Sequence, residues 1–105
     1  MIVTTITQNE FKQVFEQQVD RCRVLLTRKT KECIGDNADR LSAFKAAAAL
    51  QSCTPERTLA GMLAKHTVSL YDLCYAENTV FRLEEWDEKI TDSINYLVLL
   101  RAIVR

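Results

Sequence analysis

Turn-forming residues are almost missing from this chain: 105 residues contain two glycines and one proline. A sheet protein needs such residues every few positions, so their scarcity argues against an all-β fold. Hydrophobic residues make up 48% of the chain, enough for a folded core and too many for a disordered segment. The apolar positions recur at helical spacing. The expected fold is therefore all-α, about four helices in a compact bundle. They form a single domain over residues 1–105 with a short lead-in at 1–6.

Local signals place the helices. Thr7 followed by Glu10 is a capping-box pattern, with Ile6 and Phe11 set for a hydrophobic staple. Phe11, Val14, Phe15, Cys22, Leu25 and Leu26 then keep near-helical spacing, which predicts a first helix over 8–33 stopped at Gly35. Asp36 or Asn37 is a suitable N-cap for a second helix over 37–51. Its core face would be Leu41, Phe44, Ala48 and Leu50, and its alanine run at 46–49 favours helix and close approach. Thr54, Pro55 and Glu56 form the strongest start signal, opening a third helix over 55–77. Leu59, Leu63, His66, Leu70, Leu73 and Cys74 would share its core face, with Lys65, Ser69 and Asp72 on another. A fourth helix over 83–104 carries the stripe Trp86, Ile90, Ile94, Leu97 and Arg101. Its last turns are apolar nearly all round. A chain this small has little material to cover such a surface, so a homo-oligomer is expected, a dimer at least.

Lys plus Arg and Asp plus Glu each number 14, so there is no strong basic signal for nucleic acid. The charge is nonetheless segregated. Residues 21–31 carry five cations and no acid, and residues 84–92 carry five acids and one cation. Blocks of this kind are most often solvated faces. No apolar run reaches membrane-spanning length, and the opening MIVTTITQNEFK lacks the features of a secretory signal. The expectation is a cytoplasmic protein with no membrane partner. Cys22, Cys33, Cys53 and Cys74 show no Cys-x-x-Cys spacing and are expected as free thiols without zinc.

Three constellations could carry chemistry. Glu88, Asp92 and Asn95 fall at i, i+4 and i+7, one oxygen-bearing stripe on a helix. Two carboxylates one turn apart suit a hard cation such as Mg2+; the bland alternative is a solvated acidic face. His66, the single histidine, is either a hydrogen-bonded core residue or a group facing an inner cavity, and its neighbour Lys65 could meet a phosphate. The segment 31–41 crowds acids and cations around a helix break, either as an anion site or as two helix ends meeting. There is no serine elbow and no glycine-rich phosphate loop.

The stretches RKTKECIGDNADRLSAFKAAA, GMLAKHTVSLYD and WDEKITDSINYLVLL resemble small phage and prophage proteins. These in turn look like distant relatives of the MazG-type nucleotide pyrophosphohydrolases and of phage nucleotide-modification-associated domains. The resemblance covers roughly residues 24–103. In the MazG-type family, acidic motifs on bundle helices hold magnesium, which positions water against a nucleoside triphosphate and releases pyrophosphate. Glu88 and Asp92 match the last of those motifs, with Lys89 in place of one expected acid. The family's Glu-x-x-Glu pair is not found; Glu32, Asp36 and Asp39 offer acids at a different spacing. The resemblance thus implies a magnesium-dependent nucleotide-binding protein, extending to pyrophosphohydrolysis, in the cytoplasm of a phage-infected or prophage-bearing host. Glu88, Asp92, Asp36 and Asp39 are the expected metal ligands. Lys65, His66, Arg40, Asn95 and Asp72 are the expected nucleotide contacts, and no catalytic residue is assigned. The competing expectation is a non-enzymatic phage protein that binds a host protein or a signalling nucleotide in a regulatory or counter-defence role.

Overall fold

The computed structural model describes residues 5–27 and 39–105. It contains four helices, α1 (Gln8–Leu26), α2 (Ser42–Leu50), α3 (Pro55–Tyr75) and α4 (Leu83–Val104). No strand occurs among the described residues, so the fold class is all-α, as the spacing and the scarcity of turn residues predict. Nor is any described helix long and apolar enough to cross a membrane.

The helix starts follow local side-chain chemistry. Thr7 Oγ1 accepts from the Glu10 amide at 3.1 Å, and the Glu10 carboxylate accepts from the Thr7 amide at 3.2 Å. Those hydrogen bonds from Thr7 hold the Glu10 carboxyl below its ordinary pKa. Thr54 Oγ1 accepts from the Arg57 amide at 3.2 Å, with Pro55 at the first helical position. At the head of α4 the Glu85 carboxylate accepts from the Arg82 amide at 3.1 Å.

The boundaries of the first two helices differ from expectation. The described part of α1 ends at Leu26, where the Thr27 hydroxyl and amide both donate to the Arg23 carbonyl; residues 28–33 and the stop at Gly35 lie outside the described residues. The second helix begins at Ser42 rather than 37. Asp39 is the cause: its carboxylate accepts from the Leu41 amide at 3.0 Å, and its carbonyl accepts from the Ser42 amide at 3.2 Å. A turn therefore occupies residues 39–41, just ahead of the helix. α2 closes in a Schellman motif, with Cys53 N–H donating to Ala48 C=O and Ser52 N–H to Ala49 C=O. Ser52 takes the left-handed position at φ 52°.

The helices pack in the order α1–α4–α3–α2. Among the described residues, α1 packs on α4 only and α2 on α3 only. The two inner helices run antiparallel through the link at 76–82. The apolar core is correspondingly small: Cys22, Phe44, Ala48 and Leu59 are buried. Ala48 and Phe44 seat α2 on α3, as their spacing predicts. Two expected core residues are not in the core. Leu50 is 88% exposed because α2 ends there and turns away, and Cys74 is exposed near the end of α3. In α4 the most buried positions are polar, Thr91 and Asn95, whereas Leu97 of the expected stripe is exposed. The stripe is rotated because α4 is flanked on two sides, by α1 and by α3.

Candidate functional site

Glu88 and Asp92 line a common cleft of about 490 Å³ between α1 and α4, together with Thr91, Asp87, Asp20 and Arg21. That volume lies in the range of small-molecule sites. The cleft exists because α1 crosses α4 on a few polar clasps rather than along a continuous apolar seam. Gln18 Nε2 donates to Thr91 Oγ1 at 2.8 Å and reaches Cys22 Sγ at 3.5 Å. One turn further along, Arg21 pairs with Asp87 at 3.6 Å. This pair joins the basic block to the acidic block, so part of each is an inter-helix contact and not a solvated face.

Four acidic residues and one arginine border the cleft, but with Val24 and Leu25 and the side-chain stems its exposed lining is mostly apolar. The guanidinium already faces Asp87, and Asp20 pairs with Arg23 at 2.6 Å. Asp92 lies 3.8 Å from Nδ1 of His66 on α3, within ion-pair reach but too far for a direct hydrogen bond. The His66 ring packs on Tyr96 with centroids 4.9 Å apart. His66 is half-buried at the α3–α4 seam, and it is not among the residues that line the α1–α4 cleft. No cation of the described residues pairs with Glu88.

Asn95 continues the stripe of Glu88, Thr91 and Asp92 one turn on. It is buried, at 9% exposure, and its Oδ1 has no hydrogen-bond partner. An orphaned buried carbonyl costs roughly 1–3 kcal/mol, and such groups in folded proteins are few. The sequence marked this residue as a polar amide in an apolar stretch, and that oddity survives in the structure.

The remaining expected site residues are dispersed. Asp39 does not join Glu88 and Asp92. It binds Lys45 at 2.7 Å near the start of α2, and this bond, with the Leu41 amide, holds its carboxyl below the ordinary range. Its carboxylate is committed to the turn. Arg40, next to it, is exposed, and so are Lys65 and Asp72 on α3. Asp36 lies outside the described residues. Among the described residues no three His, Cys, Asp or Glu side chains are grouped closely enough to enclose a metal ion. Glu88 and Asp92 thus provide a two-carboxylate wall. Magnesium retains several waters and is commonly held by one or two carboxylates plus substrate phosphates, so such a wall matches its habits.

Sequence reasoning missed Gln18, Asp20, Arg21 and Asp87. The opposite charges of the 21–31 and 84–92 blocks were the available signal for the last two. Cys22, Cys53 and Cys74 carry free thiols, while Cys33 lies outside the described residues. Comparison of the chain with protein-family models, with curated proteins and with solved structures gives no match.

Proposed function

We propose that the α1–α4 cleft binds a nucleotide together with magnesium, in the phage or prophage setting that the sequence resemblance implies. The observation that carries this reading is the convergence of Glu88 and Asp92 on one cleft wall, in line with the orphaned Asn95 oxygen. The electrostatics set a condition on the ligand. A bare phosphate chain would meet four carboxylates and one guanidinium that is already paired, so the anion enters only with its cation. Glu88 and Asp92 would hold the hydrated ion, which would supply the positive charge that the phosphates need there. Turnover on this reading is attack of water on a nucleoside triphosphate, giving the monophosphate and pyrophosphate.

Calorimetric titration of nucleotides with and without magnesium, with product analysis of the same samples, tests both steps. Binding is expected only with magnesium. Asp92→Asn keeps the shape and removes one charge, and should weaken it at least tenfold, about 1.4 kcal/mol. Its fold should persist, because Asp92 is partly exposed and makes no short hydrogen bond. A wild-type chain that ignores every nucleotide would sink the proposal and favour the partner-binding alternative.

A further inference from the structure

The two flanks of the α1–α4 pair differ in charge. On one lies an apolar groove of about 380 Å³ walled by Phe15, Val19, Cys22, Leu26, Ile94 and Val98, with Arg23 as its single charged neighbour. Phe11, Val14 and Phe15 form an open stripe on that helix, each more than half exposed. The cleft on the other flank is apolar and acidic at once. Val24 and Leu25 of α1 present apolar surface in it, and Val24 is 63% exposed. Around them stand Asp20, Asp87, Glu88 and Asp92 against one arginine, an excess of three negative charges in a chain whose acids and bases balance at 14 each. Gln18 meets Thr91 and Arg21 meets Asp87, so α1 and α4 run antiparallel across the cleft. One further turn brings Val24 towards Glu84. That residue is exposed, one turn before Glu88, and extends the acidic edge in the same direction.

Charge and apolarity together select the occupant. A hydrated metal ion answers the carboxylates but leaves Val24 and Leu25 uncovered. An uncharged apolar ligand covers those two and takes Glu88 and Asp92 further out of water without a counter-charge, which is costly. A basic amphipathic helix meets both demands. An apolar side chain enters the cleft between α1 and α4, and lysines or arginines one turn to either side reach the acids. We propose that the cleft docks a basic amphipathic helix of a partner protein, with Val24 and Leu25 as its apolar contact and Glu84, Glu88 and Asp92 as its acidic edge. Complementary charge steers such a partner and fixes its register. The inference does not rest on the nucleotide reading, but the two occupants exclude each other, because both need Glu88 and Asp92.

Fluorescence anisotropy of a labelled synthetic helix, added to the full chain without magnesium, provides the test. The probe carries leucines at i and i+4 with lysines at the flanking positions. A control peptide keeps every lysine and has serine in place of leucine. The leucine peptide should bind one to one, weaken as salt rises, and exceed the control at least tenfold. The Glu88→Gln, Asp92→Asn double variant should bind it at least tenfold more weakly with an unchanged helical circular dichroism spectrum, since neither side chain is buried. If that variant fails to fold, Val24→Ser and Glu84→Gln, both at exposed positions, replace it and should each weaken binding severalfold. A leucine peptide that does not bind overturns the proposal. So does equal binding of the two peptides, or binding that ignores these substitutions, because either means general attraction between opposite charges. Spermidine binding as tightly as the peptide, or a wild-type dimer that Val24→Ser dissociates, gives the cleft a different occupant and overturns it as well.

Discussion

Asn95 is a polar side chain buried on a helix whose flanking residues are largely apolar. Its amide stands in mid-helix with a buried oxygen that no protein group satisfies, beside Thr91, whose hydroxyl is satisfied by Gln18. Asn95 itself is not among the residues that line the cleft. Asn95→Leu keeps the branching and heavy-atom count of the side chain and removes the orphaned group, so it should stabilise the free protein by about 1 kcal/mol, and on the proposed reading it should reduce magnesium-dependent nucleotide binding. Chemical denaturation and calorimetry read the two effects separately. A variant that is less stable than wild type would show that the amide is structural. This residue was legible in the sequence because a lone polar side chain among Ile94, Leu97 and Leu100 is conspicuous. Gln18 was not, since nothing in a polar stretch of α1 says which glutamine crosses to another helix.

The helix ends show which features one segment can specify alone. At Thr7 and Thr54 the capping side chain and the amide it satisfies are three residues apart, so the pattern in the chain is the structure. The head of α2 fails as a forecast because Asp39 competes with Asp36 and Asn37 as the turn-forming residue, and local rules rank the three alike. The face of α4 fails for a different reason: periodicity finds an apolar stripe, but having neighbours on two sides shifts the buried line to Thr91 and Asn95. The end of α2 falls within one residue of the expected 51, although the left-handed site beyond it is filled by Ser52 and not by glycine. A non-glycine residue at φ 52° is held there against a steric penalty of about 1–2 kcal/mol. Ser52→Gly should relieve it, and after the added freedom of the unfolded chain is subtracted, should raise stability by up to about 1 kcal/mol. Thermal unfolding followed by circular dichroism checks this; a lowered midpoint would show that the serine hydroxyl carries weight at that turn.

Over the whole molecule, order in the row decides where protection resides. α4 is packed on two flanks, whereas α1 has one helical neighbour and an open apolar stripe. Opening free energies follow buried contact. In dilute protein the amides of α1 should therefore exchange faster than those of α4. Hydrogen-exchange mass spectrometry measures it, and equal exchange in α1 and α4 would argue against this ordering.

The acidic cleft and the apolar groove are two sides of one helix pair, and that shared wall ties their occupants together. Any rotation of α1 over α4 that tightens the groove also moves Asp20 and Arg21 against Asp87 and Glu88. Cleft and groove therefore cannot be set independently: a change in the angle between the two helices alters both.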